Sequence, residues 1–335
     1  MTTISKNIVL KHYIPSGTPT MNDFNVREIP LKLEKSNEIL IKNHWISVDP
    51  YMRTRMTDRK NYISPFKINE PLEGSALGEV IESNSKSFVK GDFVTSFFGW
   101  RDYFISNEKE VNKINPIDIP IQAYLGPLGF TGHTAYVGLF QIGQLKPGST
   151  ILVSSAAGAV GSMVCQFAKI HGCKVIASTG SDEKVDWLIN SLKVDFAFNY
   201  KKIENLVLYF KEICPEGFDF YYDNVGGEFL ESAIYRMKNY GNIVICGRIS
   251  QMNATSPGVG LRNMAHVLVK RLTIKGFLIF DHLDNRNDFE TDVIKWIKEK
   301  KLVWKETVFE GLENTPMAFA ELLNGKNTGK MLVKI

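Results

Sequence analysis

The stretch ILVSSAAGAVGSMVCQFAKIHGCKVIASTGSDEK, residues 151–184, decides the fold of this chain. It opens with a β-branched run, passes through small residues at 156–161, and continues as a helical segment to a second β-branched run at 174–178. The apolar stripe of the segment 159–171 consists of Val160, Val164, Phe167 and Ala168. This strand, turn, helix and strand predict a parallel sheet with helices packed on it.

The turn of small residues is suited to a phosphate group. Gly158 and Gly161 are the last two glycines of the G-x-G-x-x-G fingerprint, and Ala156 stands where the first would be. A pyrophosphate would bind the free N–H groups at the start of the helix, where the helix dipole also favours negative charge. A small-residue turn can exist for packing alone, but its place in a strand–helix series favours a dinucleotide site.

The end of the second strand indicates which dinucleotide is bound. An NAD enzyme presents Asp or Glu to the adenine ribose about 20 residues after the glycine turn, whereas this strand ends in Thr179, Gly180 and Ser181. Ser181 is suited to cap the next helix, and Lys184 lies in the first turn of that helix. A surface lysine is the alternative for Lys184. With no acidic residue at the strand end, the pattern favours NADP, because a cation suits a 2′-phosphate.

Two domains are predicted along the chain. Residues 1–125 contain short strand-like runs broken by Gly, Pro, Asn and Ser, which indicates a β-rich domain of the barrel kind. Residues 126–299 alternate strands and helices, and the tail 300–335 is assigned to the first domain. The predicted strands of the second domain are 150–154, 174–178, 195–198, 218–222, 242–246 and 272–279. The fold class is therefore α/β, with a Rossmann-type doubly wound parallel sheet and a β-rich barrel domain.

Composition excludes several classes of protein. The chain has 335 residues, 40 of them basic and 36 acidic, and its lysines are scattered, which argues against nucleic acid as a partner. No apolar run approaches the length of a membrane span, and the amino terminus does not have the pattern of a signal peptide. The cysteines form no C-x-x-C pair, and free buried thiols in the cytoplasm are expected. They are Cys165, Cys173, Cys214 and Cys246.

A zinc site is not expected. The first 120 residues contain no cysteine and only two histidines, His12 and His44. Ser75 and Ala76 stand where a zinc alcohol dehydrogenase would show a His-Glu pair. Hydride chemistry without zinc follows, with a carbon–carbon double bond conjugated to a carbonyl as a plausible acceptor.

Several motifs in order along the chain carry a resemblance to a known family. They are SVDPYMRTRM (47–56), HTAYVGL (133–139), AAGAVGS (156–162), GSDEK (180–184), FNYK (198–201), DNVGG (223–227), CGRIS (246–250), GLEN (311–314) and GKNTGK (325–330). The chain resembles the zinc-independent medium-chain dehydrogenase/reductases. It is most similar to their group of prostaglandin reductases, leukotriene B4 dehydrogenases, plant alkenal double-bond reductases and bacterial curcumin reductases.

The resemblance implies an NADPH-dependent reductase that saturates the α,β double bond of small enals and enones, with a GroES-like catalytic domain and a Rossmann NADP-binding domain. The implied cofactor contacts are Gly158, Ala159, Val160, Gly161, Gly180, Lys184, Tyr200, Asn224, Cys246, Phe277, Leu278, Ile279 and Asn327. Tyr200 also fits from its own position, because it follows the third strand beside Lys201 and its hydroxyl is able to donate to phosphate. The family's dimers imply a homodimer through GFLIFDH (276–282), which on sequence alone is equally a buried strand.

The catalytic residues are less clearly specified. Met252 stands where many relatives carry a tyrosine that is commonly given a catalytic role, and a thioether cannot donate a proton. The proton then comes from Tyr51, from Tyr62 or from water, or the acceptor differs. Each tyrosine could instead be an aromatic core residue. Arg53 and Arg55 could face the pocket, although surface or structural pairing is favoured.

Other interpretations stay open at this stage. The segment QMNATSPGVG, residues 251–260, could be a lid over the substrate or a plain connecting loop. The enzyme could be a quinone reductase, or a dehydrogenase that oxidises alcohols. A third alternative is an NADPH-binding sensor or structural protein that has lost catalysis, for which Met252 is the only support.

Overall fold

A computed structural model of the protein describes residues 2–115, 118–254 and 260–335. The chain separates into two compact units. The first contains the chain up to Leu125 together with Glu306–Asn327 and Met331–Ile335, and the second contains Gly126–Lys305 and Thr328–Lys330. The return to the first unit thus begins at 306, whereas the sequence predicted 300. The reason is local, because the Gln166 side chain bonds both the N–H and the carbonyl of Val303, at 2.8 and 2.9 Å.

The strands, in chain order, are β1 (Thr3–Leu10), β2 (Phe24–Leu31), β3 (Glu38–Ser47), β4 (Ala76–Ser83), β5 (Phe93–Ser96), β6 (Tyr103–Asn107), β7 (Asn112–Ile114), β8 (Thr150–Val153), β9 (Lys174–Thr179), β10 (Phe196–Asn199), β11 (Phe218–Asp223), β12 (Met237–Ile245), β13 (Thr273–Gly276), β14 (Glu306–Glu310) and β15 (Lys330–Lys334). The α-helices are α1 (Met52–Arg55), α2 (Phe130–Tyr136), α3 (Ala159–Ile170), α4 (Asp182–Asn190), α5 (Leu206–Ile213), α6 (Gly227–Arg236), α7 (Met264–Lys270), α8 (Arg286–Lys298) and α9 (Thr315–Leu323). A π-helix, Val137–Ile142, continues α2.

The first unit is built on antiparallel strands. Its larger sheet has the order β14-β15-β3-β4-β5-β7, with β6 also paired to β3, and β1 pairs β2 in a separate ribbon. Trp100 is fully buried in the core and lies 5.6 Å from Phe24 and 5.9 Å from Phe319, measured between ring centroids. Because Phe319 belongs to α9, the tail of the chain contributes to this core.

The second unit contains a six-stranded parallel sheet with the order β10-β9-β8-β11-β12-β13. Numbered within the unit, this is the 3-2-1-4-5-6 order of the Rossmann fold. The order reverses between β8 and β11, and such a reversal opens a crevice at the carboxyl ends of those strands. The predicted α/β fold class, with a Rossmann-type sheet and a β-rich unit, is confirmed.

Two predicted strands of the second unit have wrong bounds. β12 begins at Met237 and not at 242, because Met237 already pairs with Phe218 before the register shifts. β13 ends at Gly276 and not at 279, and Ile279–Asn285 forms a 3-10 helix. GFLIFDH is therefore not a buried strand, since Leu278 and Phe280 are exposed.

The helix α3 closely matches the predicted helix of 159–171. Val164, Phe167 and Ala168 are completely buried, and the Phe167 ring lies 5.1 Å from that of Trp296 in α8. Burial extends around the helix from Gly161 to Ala168, which is wider than one stripe. Among the described residues, no helix is long and apolar enough to cross a membrane.

Candidate functional site

The carboxyl ends of β8 to β12 lie along one edge of the parallel sheet, on both sides of the switch point between β8 and β11. The turn 156–161 follows β8, Gly180 follows β9, and Tyr200 follows β10. On the other side, Asn224 follows β11 and Cys246 follows β12. Since parallel strands all end at the same edge, most of the predicted cofactor residues lie along it.

The turn before α3 leaves room for a ligand at the helix start. Gly158 is the N-cap of the helix and has no side chain to satisfy the first N–H groups, which leaves Ala159, Val160 and Gly161 in the first turn as donors. A Cβ on Gly161 would lie 2.3 Å from the Ser155 carbonyl oxygen, so this position accepts only glycine. The conformation fits a pyrophosphate bound by backbone.

A short segment from the tail of the chain closes the back of this turn. Gly329 donates its N–H to the carbonyl of Ala157 at 2.7 Å, and Gly158 and Gly329 form an isolated parallel bridge. Lys330 in turn donates its N–H to the carbonyl of Lys305. These bonds explain why Thr328–Lys330 belongs to the second unit, contrary to the prediction. Asn327 is buried and is the last residue of its segment in the first unit.

The corner after β9 brings together a cation and a phenol. A Cβ on Gly180 would lie 3.4 Å from the Tyr200 ring and 3.7 Å from Nζ of Lys201, so both side chains cover this glycine. Asp182, the first residue of α4, accepts hydrogen bonds on its carboxylate from Lys202 at 2.6 Å and from Asn199 at 3.0 Å. These bonds lower the pKa of Asp182. Its charge is thus already paired, and the corner suits an anion.

The helix α4 begins at this corner as the sequence predicted. Ser181 is its N-cap, and its hydroxyl accepts the N–H of Lys184 at 3.4 Å. Lys184 is half-buried in the first turn. In the sequence, Lys201 was visible only as the neighbour of Tyr200. Lys201 follows β10 and Gly180 follows β9, so the spacing along the chain does not show that the two residues approach each other.

A polar network lies where β8 and β11 end. Asn224 donates its side-chain amide to the carbonyl of Ser154 at 2.7 Å, and its N–H to the hydroxyl of Ser154 at 3.0 Å. The carboxylate of Asp223 accepts the Tyr221 hydroxyl at 2.6 Å. Neither Ser154 nor Asp223 was singled out as a site residue, although a polar residue ending the apolar strand FDFYYD was a signal.

Cys246 joins the same network through the backbone. Its N–H donates to the carbonyl of Asp223 at 2.8 Å, and Gly247 donates to the same oxygen at 3.0 Å. Burial raises the pKa of the Cys246 thiol to about 12. The thiol is therefore neutral near pH 7.

The residues from Met252 onward are only partly described. Met252 is half-buried and follows the 3-10 turn Ile249–Gln251. Its N–H donates a hydrogen bond to the carbonyl of Ile249 at 3.3 Å. Residues 255–259 of the predicted lid lie outside the described residues. Phe277, Leu278 and Ile279 follow β13, and the ring of Phe277 lies 6.3 Å from that of His282.

Tyr51 and Tyr62 belong to the first unit and differ in their surroundings. Tyr51 immediately precedes α1, stacks on Phe97 at 6.3 Å, and has a buried hydroxyl oxygen with no hydrogen-bond partner among the described residues. Burial raises the pKa of Tyr51 well above its ordinary value, and the charge of Asp49 adds to this. Tyr62 is 49% exposed, which is unlike a core aromatic residue.

The two arginines of the same motif serve the structure. Arg55 is buried, pairs with Glu73 at 2.6 Å, and covers the ring of Phe66 at 4.1 Å. Arg53 is buried too and donates to the carbonyl of Gly17 at 3.1 Å. The sequence favoured surface or structural pairing of both side chains over a place in the pocket.

The His, Cys, Asp and Glu side chains that the structure describes do not gather into a metal site. Within residues 2–115, 118–254 and 260–335, no group of three or more His, Cys, Asp or Glu side chains could hold a metal ion. His44 pairs with Glu79 at 3.0 Å.

A Rossmann sheet with a glycine turn at its switch point defines a dinucleotide-binding protein, and comparison with known proteins identifies its family. Residues 6–114 match the N-terminal domain of oxidoreductase, and residues 159–299 match the zinc-binding dehydrogenase family. The chain is 40% identical to the NADP(+)-dependent 2-alkenal reductase of Nicotiana tabacum, over 99% of this chain and 97% of the relative. It is 41% identical to prostaglandin reductase 1 of Bos taurus, over 97% of each.

Solved structures agree with the sequence relatives. The structure of CurA from Vibrio vulnificus matches with a TM-score of 0.92 at 37% identity, over 98% of both chains. A second structure of CurA, in complex with NADPH, matches with a TM-score of 0.92 at 36% identity, again over 98% of both chains. The chain belongs to the zinc-independent medium-chain dehydrogenase/reductases, in the group of the alkenal and prostaglandin reductases, and the predicted family is confirmed.

Proposed function

We propose that the protein is an NADPH-dependent reductase that adds hydride to the β-carbon of α,β-unsaturated aldehydes and ketones. The observation that carries this proposal is the pairing of the start of α3, whose N-cap Gly158 has no side chain to bond the first N–H groups, with the Tyr200 and Lys201 corner over Gly180. The first suits a pyrophosphate, and the second suits a 2′-phosphate. The names of the alkenal and prostaglandin reductase relatives support the choice of acceptor.

The adenine end of the site would select NADPH over NADH. Tyr200 would donate its hydroxyl to the 2′-phosphate, and Lys184 and Lys201 would supply positive charge. The carboxylate of Asp182 is engaged by Lys202 and Asn199 and would not be offered to a ribose hydroxyl. NADPH supplies the hydride when bound, and Asn224 and Cys246 would lie near its nicotinamide.

The chain's own residues would stabilise the charge that collects on the substrate oxygen. When hydride reaches the β-carbon, the carbonyl oxygen becomes enolate-like, and a fixed donor at that atom lowers the barrier. Tyr51 is the first candidate, because its buried hydroxyl has no partner among the described residues. Tyr62 is the second candidate. Met252 would contact the substrate without donating a proton.

The reduction of quinones is the second candidate activity. It is favoured by Met252, because after hydride transfer to a quinone the single proton that completes the hydroquinone can come from water and needs no side-chain donor. No observation favours a sensor or structural protein that has lost catalysis. No observation favours the oxidation of alcohols either.

Assigning roles to the two units is also part of this proposal. The first unit would be the GroES-like catalytic domain, since it contains Tyr51 and Tyr62. The second would be the Rossmann NADP-binding domain. The bounds of the units, with the return at Glu306, would replace the predicted bounds of 300–335 and 126–299.

We further propose that the protein forms a homodimer through β13. This strand is the last of its sheet and has a neighbour only in β12 within the described residues. Leu278, Phe280 and Leu283 follow it with 36%, 44% and 44% of their surface exposed. A second copy that added its own β13 would cover both the open strand edge and these side chains.

A cytoplasmic location is proposed on the state of the thiols. Cys165, Cys173 and Cys214 are buried and unpaired. Free buried cysteines are typical of a reducing compartment.

The activity is tested by following NADPH absorbance with 2-alkenals, enones and quinones in parallel. We expect turnover with alkenals and enones and a much slower reaction with NADH. Faster turnover with quinones would favour the second candidate activity. Tight NADPH binding with no turnover of any acceptor would overturn the proposed activity.

A further inference from the structure

Asp223 is a buried acid at the switch point of the parallel sheet. It is the last residue of β11 and is completely buried. One carboxylate oxygen, Oδ1, accepts the hydroxyls of Tyr221 at 2.6 Å and Ser154 at 3.4 Å, and the N–H groups of Val225 and Gly226, both at 2.9 Å. The other oxygen, Oδ2, is buried and has no partner among the described residues.

The contacts of Oδ1 shape the loop that follows β11. Gly226 has a φ of 71° and is the N-cap of α6, so the two N–H bonds to Asp223 fix a turn of restricted geometry. The carbonyl of Asp223 also accepts Cys246 and Gly247. One residue therefore ties the loop after β11 to the loop after β12.

These contacts alone do not explain why an acid is present. An asparagine has the same shape, and its amide oxygen could accept the same donors that Oδ1 accepts. The donors on Oδ1 are all neutral, namely a phenol, a serine hydroxyl and two backbone amides, so the network does not balance the negative charge. An unpaired buried carboxylate oxygen costs stability, and this cost indicates a role for the charge outside the network.

Hydrogen bonds to Oδ1 limit the cost of ionising Asp223 in its buried position. Burial raises the pKa of Asp223, and the hydrogen bonds from Gly226, Tyr221 and Val225 oppose that rise. The Ser154 hydroxyl is a fourth donor to Oδ1, and each of these hydrogen bonds acts in favour of the carboxylate against the effect of burial.

The oxidised form of the cofactor offers the missing positive charge. The nicotinamide ring is neutral in NADPH and cationic in NADP⁺, because hydride leaves with two electrons. In the proposed site, Asn224 and Cys246 lie at the nicotinamide end. Asp223 precedes Asn224 in the chain, and its backbone carbonyl accepts the N–H of Cys246. Its charge would thus act on the ring as the ring becomes positive.

We infer that Asp223 is a positioning residue that holds the Asn224 loop through Oδ1, and that its charge favours NADP⁺ over NADPH and so promotes hydride donation. This inference rests on the proposed cofactor site. It assigns the residue a role that a neutral side chain of the same shape could not fill.

The test compares the dissociation constants of both cofactor forms for wild type and Asp223→Asn, measured by calorimetry without substrate. We expect the ratio of the NADP⁺ to the NADPH constant to rise about tenfold, as for a unit charge acting over roughly 10 Å at an effective dielectric of about 20. Asp223→Thr is the second neutral variant, should the first fail to fold. Ser178→Ala is the matched control, because it removes a buried hydroxyl that has no partner among the described residues, on β9, two strands away from β11 in the same sheet.

The outcomes separate the inference from the proposed function. Equal changes in both dissociation constants, or no change in either, would leave only the loop contacts and overturn the role of the charge. The fragment 2′-phospho-ADP-ribose, which lacks the nicotinamide, should bind wild type and Asp223→Asn alike. Wild-type protein that bound neither cofactor form nor this fragment would overturn the cofactor site itself, and the inference with it.

Discussion

Replacing Tyr51 by phenylalanine should change stability and activity in opposite directions. The hydroxyl of Tyr51 is buried and has no hydrogen-bond partner among the described residues, so the folded protein gains nothing from it. An unsatisfied buried hydroxyl costs about 1–3 kcal/mol. Removing it should raise the free energy of unfolding by about 1 kcal/mol, which corresponds to roughly 2–4 °C in the melting temperature.

The same change should slow the reaction. If the hydroxyl donates to the substrate oxygen as charge develops there, its loss should lower kcat by about 100-fold with a smaller change in KM. The pKa of Tyr51 is raised well above its ordinary value by burial. The hydroxyl therefore stays protonated, and kcat should not fall between pH 7 and 10 through ionisation of this residue.

Tyr124→Phe is the matched control in the same unit. The hydroxyl of Tyr124 donates to the carbonyl of Asn115 at 3.0 Å, so its removal should lower stability slightly and leave kcat unchanged. Melting curves and steady-state kinetics on one enal check both variants. A Tyr51→Phe variant that melts lower and keeps full activity would refute the reasoning, since the hydroxyl would then have a structural partner and no catalytic role.

Four further changes have expected outcomes. Tyr200→Phe with Lys201→Ala should weaken NADPH binding roughly 100-fold and NADH binding hardly at all, because the phenol contributes about 2 kcal/mol and the exposed ammonium about 1 kcal/mol to binding the 2′-phosphate. Lys174→Ala, at the far end of β9, is the control. Equal losses of affinity for both cofactors would mean that the phosphate binds elsewhere. Met252→Tyr should raise kcat on enones if proton donation there is limiting, and an unchanged rate would indicate another donor. Iodoacetamide at pH 8 should alkylate Cys246 slowly, as followed by mass spectrometry, because its pKa of about 12 keeps the thiol neutral. Rapid alkylation of Cys246 would contradict the raised pKa. Light scattering should detect monomers for Phe280→Glu and unchanged dimers for the control Leu208→Glu, which adds the same charge at another exposed position. Dimers that persist in Phe280→Glu would exclude the proposed interface at β13.

The fold could be predicted where one short stretch contains both the periodicity and the turn. The run from β8 through α3 to β9 is of this kind, since β-branched strands, small turn residues and a helical stripe are local signals. β12 was placed too late because Lys238 and Asn239, which follow its first residue, are polar, and Tyr240 takes a positive φ of 63° inside the strand. Its early pairing depends on β11, which the sequence of β12 does not reveal.

The site could be predicted only in part for the same reason. The glycine turn and the absence of an acid after β9 are local, whereas Lys201 approaches Gly180 only because β9 and β10 are neighbours. The role of Asp223 depends on Ser154, which lies 69 positions earlier in the chain. Sheet order brings such residues together, and spacing along a single sequence contains no record of it.

Transfer of deuterium from labelled NADPH tests the central claim most directly. The protein would be incubated with NADPH carrying deuterium at C4 and with a simple enone, and the product would be examined by NMR. Deuterium at the β-carbon of a saturated ketone is the predicted result. Deuterium on the carbonyl carbon of an allylic alcohol, or no deuterium in the product, would contradict the account.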